Sequence, residues 1–430
     1  MPVDFTQLII QVLFQVLGLI WWFAVPLIFF FILRDFWLYY IRTKMVNSWK
    51  WVMIEVKIPR LVEKGPKAME QIFSAIYGIY SFGYNFFQKW QDGMVEPWLS
   101  LELVGYAGGV YFYVRMTDNF RNLVESAIYA QYPDAEITEA QDYTDLLPQV
   151  LPSDAYDLWG CDFILARDNA YPIRTYEYFE SAVEEQRISP ISAITEVMSK
   201  LKEDETIWIQ TIVRATGNAW RKDGEALRDQ LINRKKTVKP GFLAGLLAGL
   251  SEFFKNLFIA IMLAPIWEKP AEQKTQETRM LLLTPGEKDI IEGIEHKIAK
   301  LAFEVCMRFV YIDKRSSFTR TNVAAVMSVF HQFNTLNLNS FRPSRNITLG
   351  RQPFKQRKVY YKKRRLYDNY RQRLFSNNLY EHLNEKKKRP ILNIEELATI
   401  YHYPIMIVEA PLLRRVETKK GEPPARLPVE

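Results

Sequence analysis

Apolar residues run without a charge from Leu8 to Leu33, LIIQVLFQVLGLIWWFAVPLIFFFIL, and nothing later in the chain stays apolar for as long. As a helix rising about 1.5 Å per residue, this run can cross a hydrocarbon core about 30 Å thick with some tilt. Beyond it the period changes. Trp49 to Pro59 alternates apolar and polar residues as a half-buried strand does, and Pro66 opens a helical stretch to about Lys89. Leu99–Gly105 and Val110–Met116 read as strands joined by a turn at Gly108-Gly109. Asp118 is expected to cap a helix over Asn119–Gln131, where Phe120, Leu123, Val124 and Ile128 share a face, and Ala135–Ala140 reads as a short strand. That order, β-α-β-β-α-β, is the ferredoxin-like arrangement.

A second pass of similar elements follows a proline-bearing linker. Strands are expected at Trp159–Arg167, paired with Arg174–Phe179, and at Thr206–Ala215 and Leu301–Ile312; helices are expected at Ile191–Leu201 and Thr319–Phe333. The fold class read from the pattern is therefore α+β. It has an anchor over residues 1–45 (helix 8–33), a ferredoxin-like domain over 46–143, a linker over 144–158, and a second ferredoxin-like domain over 159–345. The second domain is interrupted at 217–300 by a charged helix, Trp220–Lys236, and by Gly241–Pro265, GFLAGLLAGLSEFFKNLFIAIMLAP. Glu252, Lys255 and Asn256 make that apolar stretch a poor membrane span, while Gly241, Gly245 and Gly249 permit close helix contact. Lying on a membrane or burial against protein would equally hide it from water. A helix over Gly286–Lys300 leads back to the sheet. A basic helical segment over 346–403 then ends in a short helix capped by Asn393 and Glu396, and residues 404–430 form a proline-rich tail.

The flanks of the first run give it a direction. Arg34, Arg42, Lys44, Lys50 and Lys57 follow it and no Lys or Arg precedes it, so the positive-inside rule puts the N-terminus outside and the bulk in the cytoplasm. Its length, and the lack of a basic start and a small-residue cleavage site, favour a retained anchor over a signal peptide. Trp37, Tyr39 and Tyr40 suit the headgroup level. Gln7, Gln11 and Gln15, with Gly18 on roughly the same face, form a stripe that suits either a helix–helix contact or headgroup water.

Charge changes the picture in one place. The chain carries +7, but Arg351–Arg389 holds 14 Lys or Arg against three acids, a net of +11 that leaves the remainder at −4. Lys358, Lys362, Lys363, Arg364, Arg365, Arg371 and Arg373 are interleaved with Tyr360 and Tyr361. Cations neutralise phosphates and aromatic faces stack on bases, so single-stranded nucleic acid is one ligand class; anionic lipid and an acidic protein partner are the others. Catalytic signals are missing: there is no Gly-x-x-x-x-Gly-Lys-Ser/Thr, no Gly-x-Ser-x-Gly, no His-Glu-x-x-His and no dinucleotide fingerprint. Cys161 and Cys306 sit in apolar runs, and four scattered His make no zinc spacing. The expectation is a non-enzyme without metal or cofactor.

Two stretches carry a resemblance. They are Gly108–Ile137, GGVYFYVRMTDNFRNLVESAIYAQYPDAEI, and the Asn393–Pro404 run NIEELATIYHYP with the later Lys419-Lys-Gly-Glu-Pro-Pro. Together they are similar to an uncharacterised membrane-anchored family of candidate-phyla bacteria, which resembles the N-terminal, non-ATPase part of conjugation or type IV secretion ATPases. In relatives a HerA-like ATPase domain follows the Glu-Pro-Pro linker. The resemblance implies a single-pass protein of the bacterial inner membrane that acts as a non-catalytic scaffold. Because the chain stops at Glu430, the ATPase is expected to be a separate subunit. The partners expected are the membrane, that subunit, further copies of the chain, and single-stranded DNA or anionic lipid. The alternatives are a membrane-tethered single-stranded nucleic-acid-binding protein that acts without a motor and, behind it, a membrane enzyme with an unrecognised site.

Overall fold

The alternating segments pair into one antiparallel sheet. The computed structural model describes residues 5–59, 64–81, 83–179, 191–233, 283–344, 354–373, 375 and 389–404. The elements are α1 (Phe5–Asn47), β1 (Trp51–Lys57), α2 (Pro66–Ile76), α3 (Phe86–Trp90), β2 (Leu99–Tyr106), β3 (Gly109–Thr117), α4 (Arg121–Gln131) and β4 (Glu136–Glu139). They continue with β5 (Tyr156–Leu165), α5 (Ser192–Ser199), β6 (Thr206–Ala215), α6 (Ala219–Asn233), α7 (Pro285–Ala299), β7 (Ala302–Lys314) and α8 (Thr321–Phe330). The last are β8 (Phe341–Pro343), α9 (Lys355–Gln372), β9 (Ile391–Asn393) and α10 (Ile394–Ile400).

The sheet runs β4-β1-β3-β2-β6-β7-β5-β8, and every pairing in it is antiparallel. The two passes seen in the sequence meet edge to edge, because β2 pairs with β6 from Leu99↔Val213 to Tyr106↔Thr206. The expectation of two tandem ferredoxin-like domains thus meets a single continuous sheet. β7 is 13 residues long, and that length lets two partners share one side: β5 pairs over Met307–Lys314 and β9 over Ala302–Glu304.

One face of the sheet is covered by helices. Leu101 and Leu103 of β2, Ile207 and Ile209 of β6, and Met307 and Phe309 of β7 pack in one core with Ile72 and Phe73 of α2, Val124 of α4, Ile194 of α5, Val326 of α8 and Leu397 of α10. Helix α10 starts as its sequence foretold: the Asn393 side chain accepts from the Glu396 amide, and the Glu396 carboxylate accepts from the Asn393 amide. Glu396 also meets Lys297 of α7 at 3.0 Å, and both side chains are fully buried. Burial pushes the Glu396 carboxyl up and the Lys297 amine down. Helices α6 and α7 pack beside each other through Trp220, Leu227, Ile294 and Ile298. Residues 234–282 lie between them, so the Gly241–Pro265 reading falls outside the described residues.

Several local expectations are corrected. The helix opened by Pro66 stops at Ile76, and Gly83 turns the chain at φ +91° before a separate short helix, α3. Ala107 (φ 48°) and Gly108 (φ 74°) form the β2–β3 turn, while Gly109 already belongs to β3. Asp118 makes no side-chain cap; it pairs with Lys50 at 2.9 Å, and a 3-10 turn precedes α4. Residues 174–179 add no strand, and Tyr176–Tyr178 is a 3-10 turn. Residues 144–158 are not a free linker, since Thr144, Leu151 and Leu158 are buried.

Helix α1 continues past Leu33 to Asn47. Its Trp21–Asn47 portion is long and apolar enough to cross a membrane, and only 6% of its most apolar window is buried against the rest of the chain. Gln15 and Gly18 are exposed, while the side chains of Gln7 and Gln11 fall outside the described set.

Candidate functional site

The cation-rich stretch forms α9, which lies on the sheet face opposite the helical core. Leu366, Tyr367 and Tyr370 recur at helical spacing and are buried against Val310, Ile312, Trp208 and Tyr143. The Tyr367 ring stacks on Trp208 at 6.1 Å, and its hydroxyl donates to the Pro148 carbonyl at 2.8 Å. Close approach is possible because β5 has Gly160 beneath the helix. A Cβ there would stand 2.5 Å from Leu366 Cδ2 and from the Phe309 carbonyl oxygen. Gly160→Val should therefore destabilise the protein by about 1–3 kcal/mol through overpacking, read as a lower urea midpoint of the full chain in detergent.

The helix is also held by a buried polar network. Tyr113, Glu102, Gln210, Arg308 and Asp162 stand opposite one another in register across β3, β2, β6, β7 and β5. They form one polar rung across five strands of the sheet. Glu102 accepts from Arg373 Nε at 2.7 Å and Nη2 at 3.1 Å, from the Tyr143 hydroxyl at 2.6 Å, and from Gln210 Nε2 at 3.1 Å. Arg308 donates to Gln210 Oε1 at 3.0 Å and to the Asn369 carbonyl at 3.2 Å. Arg373 also grips Asp142 at 2.6 and 2.9 Å. Burial alone would lower the guanidinium pKa, but the facing Glu102 and Asp142 hold it well above its usual value. Burial alone would likewise raise the Asp142 carboxyl, but its Arg373 hydrogen bonds bring it below the ordinary range.

Arg373 follows the last turn of α9 in the left-handed region, at φ 51°. A non-glycine residue there costs about 1–2 kcal/mol, so the ion pairs must outweigh that strain. The depressed Asp142 pKa means its stabilisation is complete above the unfolded value near 3.9 and lost as pH falls through the folded one. Urea midpoints measured below about pH 4 should accordingly fall less steeply with acid in Asp142→Asn than in the wild type.

The residues singled out from the sequence divide into three groups. Lys358, Tyr360, Tyr361, Arg364 and Arg365 are exposed along α9. Lys362 is half-buried; Lys363 pairs with Asp157 at 2.6 Å, and Arg371 pairs with Asp145 at 2.9 Å. Arg373 is 1% exposed and belongs to the network, which removes it from any surface that a phosphate could reach. The accessible ridge is thus Lys358, Arg364 and Arg365, with Lys355 and Arg357 beside them and the Arg357 guanidinium over the Tyr361 ring at 5.7 Å. Glu102, Gln210 and Arg308 escaped the sequence reading. Part of their signal was there: Glu102 stands between Leu101 and Leu103, and Arg308 between Met307 and Phe309.

Beside α9 the same sheet face has a cavity of about 250 Å³, walled mainly by Tyr111, Tyr113, Tyr143, Tyr156 and Trp208, with Glu203 and Asp204 also lining it. Among the described residues, no group of three or more His, Cys, Asp or Glu could hold a metal ion. Cys161 is buried, and burial pushes its thiol far up, as for an inert apolar packing residue.

Comparison with curated proteins finds no match. A family model does match: residues 44–406 fit a domain of unknown function, DUF8128, which takes in the whole sheet, α9 and α10 but not the apolar run. The chain therefore belongs to the DUF8128 family.

Proposed function

We propose that this protein is a non-catalytic, membrane-anchored scaffold, with α1 crossing the bacterial inner membrane N-terminus out and the sheet in the cytoplasm. The scaffold docks a motor ATPase of a conjugation- or type IV secretion-like machine. In this reading each four-strand half is a ferredoxin-like unit. The order fourth-first-third-second occurs in β4-β1-β3-β2 and again in β8-β5-β7-β6, and the β2–β6 pairing fuses the two into one plate.

The observation that carries the proposal is the state of α9. Its inner face is locked to the sheet, while Lys358, Arg364, Arg365, Tyr360 and Tyr361 face outward on a stiff rod of 18 residues. A rigid cationic ridge presents charge with little ordering cost on binding, and it suits an acidic protein surface. The test is a photo-crosslinking residue at Tyr361 of the full chain in its native membrane. The expected adduct is a P-loop ATPase, lost when Lys358, Arg364 and Arg365 are changed to Gln with the urea midpoint unaltered. Adducts to lipid alone would count against the scaffold reading.

The exposed Tyr360 and Tyr361 among cations favour a second reading, a tethered single-stranded nucleic-acid binder. Purified full chain in detergent should then bind oligo-dT, with affinity falling steeply with salt and abolished by the same triple substitution.

A further inference from the structure

The short helix α3 has no role in the scaffold reading, and its surface is unusual. Phe86 and Phe87 are 65% and 69% exposed, and Phe86 stacks on Trp90 at 5.4 Å. Five residues do not hold a helix by propensity alone. This one is held by a capping box, in which Asn85 accepts from the Gln88 amide at 2.9 Å and the Gln88 side chain accepts from the Asn85 amide at 2.9 Å. A turn that displays two phenylalanines to water is thus structurally fixed.

Its place along α1 says what meets it. The Trp37 indole N–H donates to the Trp90 carbonyl at 2.9 Å. Three residues later Gly93, at φ 68°, lies so close to α1 that a Cβ would stand 2.6 Å from the Ile41 carbonyl group. From Trp90 to Gly93 the chain therefore steps along α1 from the level of Trp37 to that of Ile41, about 6 Å. On α1 that direction leads away from the apolar run, so α3, which comes just before, sits at the end of this step nearer to the bilayer. Trp37 is four residues past Leu33, about 6 Å beyond the edge of the apolar run, which is headgroup depth. Lys89 in the same turn is exposed, as suits phosphate headgroups.

We propose that α3 is a membrane foot. Phe86, Phe87 and the Phe86–Trp90 stack enter the boundary between headgroups and acyl chains beside α1, so that the sheet is fixed to the bilayer at two points. The proposal rests on α1 spanning the membrane. A single helix leaves a domain free to swivel; a second contact clamped to α1 at Trp37 and Gly93 sets one orientation for the plate and for the α9 ridge.

The test uses full chain with Cys306→Ala, buried Cys161 retained, and an environment-sensitive fluorophore on Phe87→Cys or on Phe23→Cys in α1, an exposed position ten residues, about 15 Å, inside the edge at Leu33. Each is reconstituted in vesicles of phosphatidylcholine and phosphatidylglycerol that carry a doxyl quencher at a shallow or a deep acyl position. Unchanged urea midpoints verify that both labelled proteins are folded. The expected result is loss of the residue-87 emission with the shallow quencher, more than with the deep one, while the deep quencher dims residue 23. If residue 23 is quenched and residue 87 is not, α1 spans and the foot is overturned, and emission that stays blue-shifted without lipid quenching would point to a second copy of the chain over α3. If neither is quenched, the spanning reading fails and takes the foot with it.

Discussion

Arg373→Met is expected to cost about 3–5 kcal/mol of folding stability, among the largest effects of any single change in the chain. The substitution strands Glu102, which is fully buried and receives two of its hydrogen bonds from Arg373, and it releases Asp142. Loss of a partner is the expensive event, because the remaining carboxylate keeps its desolvation penalty without its counter-charge. The Trp98 indole N–H, which donates to the Arg373 carbonyl at 3.0 Å, ties the same residue to the cluster at the foot of α1. Urea unfolding of the full chain in detergent, followed by tryptophan fluorescence, measures the effect. Arg373→Gly separates charge from backbone: it relieves the left-handed strain yet should still destabilise, since the ion pairs are gone. Adding Glu102→Gln to Arg373→Met should restore part of the loss. A midpoint for Arg373→Met within about 0.5 kcal/mol of wild type would show that the network is not what holds α9.

The second large effect is a pH dependence centred on His402. The side chain is fully buried just after α10, between Tyr401 and Tyr403, and its Nδ1 lies 2.9 Å from the Ala398 carbonyl, to which it donates as the neutral tautomer. Burial pushes its pKa down to about 4. The unfolded value is about 6.5, so the folded state excludes a proton that the unfolded chain accepts. Stability from this group is therefore complete above about pH 6.5, declines as pH falls through that value, and levels off below about 4, for a total of about 3 kcal/mol. Asp142 acts only at the acid end of that window, so the two are separable. His402→Asn keeps an amide donor and removes this titration; its urea midpoint should lose the decline that His402 imposes on the wild type between about pH 6.5 and 4.5, leaving the opposite, upward trend from the raised Glu396 carboxyl. Parallel slopes for the two proteins would place the proton uptake elsewhere.

Much of the sheet is legible in the amino-acid pattern alone. Thr206–Ala215 is a strand over the bounds read from the sequence, and Asn393-Ile-Glu-Glu is a capping box as its residue types require. Both depend on residues adjacent in the chain. The site was only half legible for the same reason. Amphipathic spacing finds α9, because Leu366, Tyr367 and Tyr370 must share a face wherever the helix lies. It does not say which cations remain in water. Arg373 looks like its neighbours in the run until Glu102, 271 residues away, is placed against it.

What the sequence by itself determined is the local and the compositional: an apolar run long enough for a membrane, the period of most strands and helices, the concentration of positive charge in one segment, and the Asn393 cap. The tertiary structure decided what depends on register between distant strands. β2 joins β6 rather than leaving two sheets, and that pairing aligns Glu102, Gln210 and Arg308 into one rung. The rung and Gly160 set where α9 docks, and so which of its charges are spent inside and which face out. Packing of Trp90 and Gly93 against α1 likewise set the place of α3 along that helix, which no periodicity records. Hydrophobic period reports which face of an element is buried; only the pairing of elements reports against what.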